Sequence, residues 1–324
     1  METKKVAFVD FWDSYNPKES LFYKLLEKHY KIDLVEKENA DYVFFSVWGD
    51  SHWFVPEHCV KIFWTGENRT PDFNACDYAL GFERLQFRDR YMRFPLFYMY
   101  PECTLMEKKH CDITIDNLKQ EKLGFCSFTV SGKNQPSSRI KMYELLTNYK
   151  KVDSGGKFRN NIGGPVKDKF AFDSKHKFSI CFENFSYDGY CTEKIVQAFA
   201  AKTIPIYWGD PKVTEVFNED AFVCVHNFAS FEDVLNRVVQ IDNDDMLWLK
   251  MLQTPALLSE KNTFGFMINM LEDFLFHIFD QPQETAQRRT RWGKHTATVM
   301  QEMLNAYNLS KMSLPRRIYH MLIK

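Results

Sequence analysis

The stretch from Phe178 to Pro211, FSICFENFSYDGYCTEKIVQAFAAKTIPIYWGDP, constrains the fold more than any other part of the chain. Phe178, Ile180 and Phe182 alternate with smaller residues, as in a strand entering a sheet. Glu183-Asn184 breaks the apolar pattern, and a loop through Asp188-Gly189 follows. Thr192 is a candidate N-cap for a helix whose Ile195, Val196 and Phe199 share one face. Lys202-Thr203 closes that helix, and residues 204–209 read as the next strand. The helix would begin with Glu193 and Lys194, where free N–H groups and partial positive charge suit an anion such as a diphosphate. Each residue also has a plain reading: Glu193 compensating the helix dipole, Lys194 a solvated charge.

At 324 residues the chain is long enough for two domains. The formal net charge of −1 argues against a nucleic-acid protein built on global charge. Aromatic residues reach 16%; such rings can stack on sugars, but core packing accounts for most of them. No apolar run is long enough to span a bilayer, and the N-terminus enters a strand directly, so no signal peptide is expected. The eight cysteines include no CxxC pair, and several lie in apolar strand-like runs. They are expected as reduced, buried thiols without a zinc site, in a cytoplasmic protein.

In chain order, Lys4–Trp12 reads as a strand buried on both faces. Asn16-Pro17 turns into a helix carrying Leu21, Phe22, Leu25, Leu26 and His29, and strand-like runs follow at 32–35, 42–47 and 60–64. Strand–helix–strand order at this spacing predicts an open α/β sheet. Gly66-Glu67 then lies just past a strand end, where such sheets bind ligands, although a plain turn would look the same. Residues 100–122 lose periodicity and read as the interdomain linker. A second sheet starts at 123–130, and Ser137 or Ser138 would cap a helix carrying Ile140, Tyr143, Leu145 and Leu146. Arg139 sits in its first turn, a cation misplaced against the helix dipole unless an anion or a salt bridge balances it. Residues 152–156 and 162–165 are glycine-rich but match neither a Walker A nor a GxGxxG pattern, so they read as turns around the site. Later helices are expected after the capping box Ser230–Asp233 and around 246–252 and 264–279.

From Pro282 the character changes. Arg288, Arg289, Arg291, Lys294, Lys311, Arg316, Arg317 and Lys324 face only Glu284 and Glu302. Leu314, Ile318 and Leu322 recur every four residues beside basic ones, which describes a basic amphipathic helix. Such a tail either lies on an anionic membrane surface or docks on the body.

The assembled string CFEN, then TEK, then IPIYWG resembles the signature of the alpha-1,3-fucosyltransferases, glycosyltransferase family 10. TGEN at Thr65–Asn68, with PDFN and DYALGF after it, resembles the acceptor-side half of that family. The resemblance covers most of residues 40–275 and implies a GT-B architecture, with two Rossmann-like α/β domains facing each other across a cleft and a C-terminal basic helical tail. The expected division is 1–118 for acceptor, 119–281 for GDP-fucose and 282–324 for the tail.

The same resemblance implies Glu67 as catalytic base and Arg139 as a phosphate contact. Lys194 would hold the diphosphate, Glu193 the donor hydroxyls, and Asn184 and Tyr190 would shape the pocket. It further implies inverting transfer of L-fucose to the 3-OH of N-acetylglucosamine in an N-acetyllactosamine-type glycan. No Asp-x-Asp pair stands in a metal-binding context, so no metal ligands are assigned, and no metal or cofactor is expected beyond the co-substrate GDP-fucose. The shortened 100–122 segment leaves acceptor choice open. Two other readings are a transferase for another nucleotide sugar and a non-catalytic glycan-binding protein. Asp10 or Asp13, at the end of the first strand, would be the fallback base.

Overall fold

Runs of Val, Ile, Phe and Tyr become strands here because both faces of the central strands are covered, so most of their positions repay burial. The first strand, expected to be buried on both faces, is exposed at Thr3 and Lys5, and the strand at 31–34 has no buried residue. The computed structural model describes residues 1–107, 113–132 and 135–311. It gathers the chain into two units. One comprises Met1–Gly81, Leu85–Met92 and the chain from Leu271 onward; the other comprises Phe82–Arg84 and Arg93–Met270. The expected division at 118 and 281 is linear, whereas these units are discontinuous in sequence.

The first unit carries a sheet of β1 (Thr3–Val9), β2 (Lys31–Leu34), β3 (Tyr42–Phe45), β4 (Val60–Trp64), β5 (Tyr78–Gly81) and β6 (Tyr91–Arg93), ordered β2-β1-β3-β4-β5-β6. Neighbours from β2 through β5 pair in parallel. One face is an aromatic layer, with Phe8 stacked on Phe44 at 4.9 Å and Phe22 on Phe44 at 5.2 Å. The first strand is shorter than the apolar run suggested. It stops at Val9 because Asp10 turns left-handed at φ +59°. That conformation costs a non-glycine residue about 1–2 kcal/mol. It is offset by hydrogen bonds to the Asp10 carboxylate from the Ser51 and His52 N–H groups, each at 2.8 Å.

The second unit carries β7 (Gly124–Phe128), β8 (Val152–Ser154), β9 (His176–Phe182), β10 (Ile204–Trp208) and β11 (Val223–Cys224), ordered β11-β10-β9-β7-β8 and parallel throughout. Phe128, Phe178, Ile204 and Ile206 are buried at its centre. Burial of such side chains contributes about 1.5–3 kcal/mol each. Pro205 sits inside β10 without a donor to spare; it is tolerated because β11 pairs only from Ile206 onward.

Several expectations are corrected. Residues 152–154, taken as a turn, form the edge strand β8. The presumed linker folds in part as helices Glu102–Met106 and Ile115–Glu121, with Cys103, Met106 and Leu118 buried. Neither Ser137 nor Ser138 caps the helix Ser137–Tyr149; Pro136 holds the N-cap position. The seven described cysteines are buried and unbridged. Among the described residues, no helix is long and apolar enough to cross a membrane.

The chain after Leu271 returns to the first unit. Leu271, Leu275, Ile278 and Phe279 of the helix Phe264–Phe279 are buried, and Lys4 Nζ donates to the Phe279 carbonyl at 2.7 Å. Arg289 and Asp77 then form a buried ion pair at 3.0 Å. Asp77 also accepts the backbone N–H groups of Lys61, Arg288 and Arg289. Arg288 binds Asp89 through Nε at 3.0 Å and Nη2 at 2.6 Å. Two of the eight basic residues counted in the tail thus pair with carboxylates of the body, as the docked alternative expects for that stretch. The helix Arg291–Lys311 follows, and the amphipathic pattern at Leu314, Ile318 and Leu322 lies outside the described residues.

Arg289→Ala strands a buried carboxylate, so chemical denaturation should show a loss of about 3–5 kcal/mol. The Arg288 hydrogen bonds hold the Asp89 carboxyl down at about 2, below its ordinary value of 3.8. Its stabilising contribution is therefore present above pH 4 and lost as pH falls from about 4 toward 2. Asp89→Asn should cost about 1 kcal/mol or less at neutral pH, because the pair is partly solvated, and nothing near pH 2.

Candidate active site

The register of β9 on β10 pairs Phe182 with Trp208, so both strands end together. Glu183 follows at once, its N–H donating to the Trp208 carbonyl at 2.8 Å and its side chain fully buried. A buried carboxylate needs partners, and the next helix supplies them. The Thr192 N–H donates to Glu183 Oε1 at 2.7 Å, the Thr192 hydroxyl to Oε2 at 2.7 Å, and Lys194 Nζ lies 3.0 Å from Oε2. Thr192 does occupy the N-cap of the helix Glu193–Ala200, but its hydroxyl turns to Glu183 and makes no capping bond. Ile195, Val196 and Phe199 are buried as their spacing predicts. The far end closes with Thr203 N–H on the Ala198 carbonyl and Lys202 N–H on the Phe199 carbonyl, with Lys202 left-handed at φ +54°.

Lys194 also donates to Thr192 Oγ1 at 2.7 Å and approaches Glu193 Oε1 at 3.2 Å. Burial disfavours its charge, but the Glu183 and Glu193 carboxylates outweigh that and raise its pKa above the usual lysine value. Glu193 is likewise penalised by burial, yet Lys194 brings its pKa below the ordinary carboxylate value. Both residues are charged at neutral pH.

Arg139 arrives from the helix Ser137–Tyr149 and is 3% exposed. Its guanidinium donates to Gln135 Oε1, to the Phe182 carbonyl, and to Asn184 Oδ1 at 3.2 Å. All three acceptors are neutral, and Nε is buried without a partner among the described residues. Burial lowers its pKa, with Glu183 opposing from a distance. Arg139, Asn184 and Lys194 line one pocket of about 680 Å³, together with Thr129, Gly132 and Gln135. A buried guanidinium and an ammonium beside a helix N-terminus can hold a polyanion there.

Tyr190 is placed differently. It is 3% exposed and packs edge-on against Phe82 at 5.2 Å, behind the pocket wall. Asn184 is exposed at the loop start. Of the glycine-rich stretches, one backs a pocket residue: a Cβ on Gly156 would meet the Val130 carbonyl oxygen at 1.9 Å, so only glycine fits under the loop that follows β7, whereas a Cβ on Gly163 or Gly164 would meet nothing within 4 Å.

Glu67 belongs to the first unit. It follows β4 in a tight turn, exposed, with its N–H on Thr65 Oγ1 at 3.0 Å and its carbonyl accepting from the Arg69 N–H at 2.8 Å. Its carboxylate is therefore presented to solvent at a strand's carboxyl end. Of the fallback bases, Asp13 is exposed, while Asp10 is committed to Ser51 and His52, with His52 Nδ1 at 2.6 Å. Burial alone would raise the Asp10 pKa; the hydrogen bonds from His52 and Ser51 bring it below the ordinary value.

Sequence reasoning missed three residues. Glu183 orients Lys194; it stood in the CFEN string at the end of an apolar strand but was assigned no role. Arg84 and Asp210 secure the loop after β9. Arg84 reaches Asp210 with two nitrogens at 2.9 and 3.1 Å, Glu215 at 2.8 Å, and Asp188. Asp210 also accepts the Gly189 N–H at 2.9 Å, where φ is +87° and a Cβ would strike the Phe82 carbonyl oxygen at 2.3 Å. Nothing local in the sequence announces pairs separated by more than a hundred residues.

Two family models match the chain. Residues 6–100 match the Alpha-(1,3)-fucosyltransferase FucT N-terminal domain, and residues 119–259 match the Glycosyltransferase family 10 (fucosyltransferase) C-terminal domain. The chain is 33% identical to the alpha-(1,3)-fucosyltransferase FucT of Helicobacter pylori, over 84% of this chain and 67% of that one. It is 28% identical to the 4-galactosyl-N-acetylglucosaminide 3-alpha-L-fucosyltransferase FUT6 of Gorilla gorilla gorilla, over 40% of this chain and 36% of that one. It thus spans about two thirds of the bacterial relative's length and about a third of the mammalian one's. A crystal structure of an alpha1,3-fucosyltransferase with GDP-fucose superposes with a TM-score of 0.70 at 31% identity, covering 85% of this chain and 91% of that chain.

Glu183→Ala removes the buried partner of Lys194 and the acceptor of two Thr192 donors. Urea denaturation should show a loss of about 3–5 kcal/mol. Because the folded pKa of Lys194 lies above its ordinary 10.5, the pair's contribution is present below pH 10.5 and disappears only as pH climbs through the raised value.

Proposed function

The chain belongs to glycosyltransferase family 10, the fucosyltransferases, and from that premise we propose that it moves L-fucose from GDP-β-L-fucose to the 3-OH of N-acetylglucosamine in an N-acetyllactosamine-type glycan. One observation carries the donor assignment. Arg139 is a buried cation whose hydrogen-bond acceptors are all neutral, and it shares a pocket with Lys194 at a helix N-terminus. A diphosphate supplies the missing negative charge.

The reaction is a single in-line displacement. Glu67 takes the proton from the acceptor hydroxyl as that oxygen attacks the anomeric carbon. The bond to GDP breaks, and Arg139, Lys194 and the helix N–H groups stabilise the charge that collects on the leaving diphosphate. These cations take the role a metal has in other transferases, so no divalent ion is needed. Glu193 accepts hydrogen bonds from the donor's ribose, Asn184 forms part of the pocket wall, and Tyr190 shapes it from behind. One displacement converts the β-linked donor to an α-linked product.

Glu67→Gln keeps size and hydrogen bonding but deletes the base, so kcat should fall by about 10²–10⁴ with GDP affinity nearly unchanged. Turnover above about a third of wild type would reassign proton removal. Lys194→Ala should weaken GDP binding by at least about tenfold in calorimetry. It should also destabilise the fold, since the buried Glu183 loses its cation. An acceptor array with GDP-fucose, GDP-mannose and UDP-sugars tests donor and acceptor together; turnover only with a different donor, or with none, would overturn the proposal.

The basic C-terminal segment supports a second assignment, a peripheral position on the anionic inner face of the cell membrane. Truncation after Lys311 should spare activity on soluble acceptors and reduce sedimentation with anionic vesicles, as should high salt. Equal sedimentation of the truncated protein would refute it.

A further inference from the structure

The first unit holds a buried lysine that no carboxylate among the described residues pairs with and that lines a cavity. Lys61 is the second residue of β4, a central strand, and it is 2% exposed. Its ammonium donates to the His52 carbonyl at 2.7 Å and lies 5.6 Å over the Trp53 ring. Asp77, which accepts the Lys61 backbone N–H at 2.8 Å, is engaged by Arg289, leaving the Lys61 ammonium under the influence of a second cation. An isolated buried ammonium is costly, and burial followed by Arg289 drives its pKa down to about 8.

Lys61 opens onto a cavity of about 670 Å³, lined also by Arg289, Arg291, Lys294, His295 and Gln301. The last four come from one face of the helix Arg291–Lys311, at spacings of three, four and ten residues. Arg291 and Lys294 stand in that helix's first turn, where cations oppose the dipole and an anion is favoured. Glu57 at the rim is the acidic lining residue; it is 79% exposed and lies 3.8 Å from Lys294. Lys294 otherwise donates to Gln287 Oε1 at 2.8 Å. The cavity lies wholly within the first unit and includes none of Glu67, Arg139, Asn184, Glu193 or Lys194.

We propose that this cavity is a binding site for a phosphate-bearing anion, with Lys61 at its floor and Arg291 and Lys294 at its mouth. Two sources share that chemistry: a soluble phosphate and a phospholipid headgroup. The site rests on the first unit alone, so it stands or falls independently of the donor assignment.

The test uses the full chain saturated with GDP, so that the donor pocket does not compete. Inorganic phosphate is titrated calorimetrically and by thermal shift, with sodium chloride at matched ionic strength as control. Phosphate should bind and raise the Tm. Lys61→Met, similar in volume, should weaken phosphate binding at least about tenfold, and Lys294→Ala, at the rim, by about threefold or more. Lys61→Met should also have a higher Tm than wild type without phosphate, since a desolvated charge is gone. In a second arm, vesicles containing phosphatidic acid are compared with phosphatidylcholine alone. Loss of phosphatidic-acid binding in Lys61→Met assigns the headgroup as the source, whereas loss of inorganic phosphate binding alone assigns a soluble ligand. If neither phosphate nor phosphatidic acid distinguishes wild type from both variants, the site does not exist.

Discussion

The second unit depends on one buried carboxylate. Glu183 sits where β9 ends, its side chain fully buried, and among the described residues every hydrogen-bond and ion-pair partner of its carboxylate comes from the start of the next helix. That fixes the distance and angle between strand end and helix N-terminus. It also fixes Lys194, whose ammonium would otherwise swing on a flexible four-carbon stem. An ammonium at the edge of a pocket can act on a ligand only if its position is already settled. The buried pair contributes less through net energy than through geometry, since desolvation consumes much of its Coulombic gain.

Five of the chain's cations show two kinds of partner, and Arg90 and Lys122, buried against carbonyls, a hydroxyl or rings, stand apart from both because they line neither cavity. Arg84, Arg288 and Arg289 each meet a carboxylate directly, and each ties together segments far apart in sequence. Arg139 and Lys61 are as deeply buried but meet only carbonyls, an amide or a ring. The first group is accounted for by the fold. The second is left with positive charge that the fold does not neutralise, and both members open onto cavities. In a low-dielectric surrounding such charge is worth far more to an anion than a solvated lysine would be.

Much of the architecture was legible because it rests on local pattern. Apolar runs of four to seven residues with β-branched and aromatic content could only be buried strands, and the spacing between them demanded helical crossovers. The face Ile195, Val196 and Phe199 was readable for the same reason. Errors arose where a tertiary contact overruled a local preference. The Thr192 hydroxyl left its capping role for Glu183, and Asp10 ended β1 early because Ser51 and His52 rewarded a left-handed turn. Residues 152–154 looked like a turn but gained a strand's hydrogen bonds from β7.

What the sequence determined by itself was therefore the parallel α/β character, the helix that begins at Glu193, and the short motifs whose resemblance to a known family implied a nucleotide sugar. It could do so because periodicity and short motifs are properties of neighbouring residues. The tertiary structure decided which charges are paired. It gave Lys194 to Glu183, Arg289 to Asp77 and Arg84 to Asp210, and it left Arg139 and Lys61 without a carboxylate. Those outcomes depend on contacts between segments up to about two hundred residues apart, and a charge's partner is chosen by distance in space, which no spacing along the chain encodes.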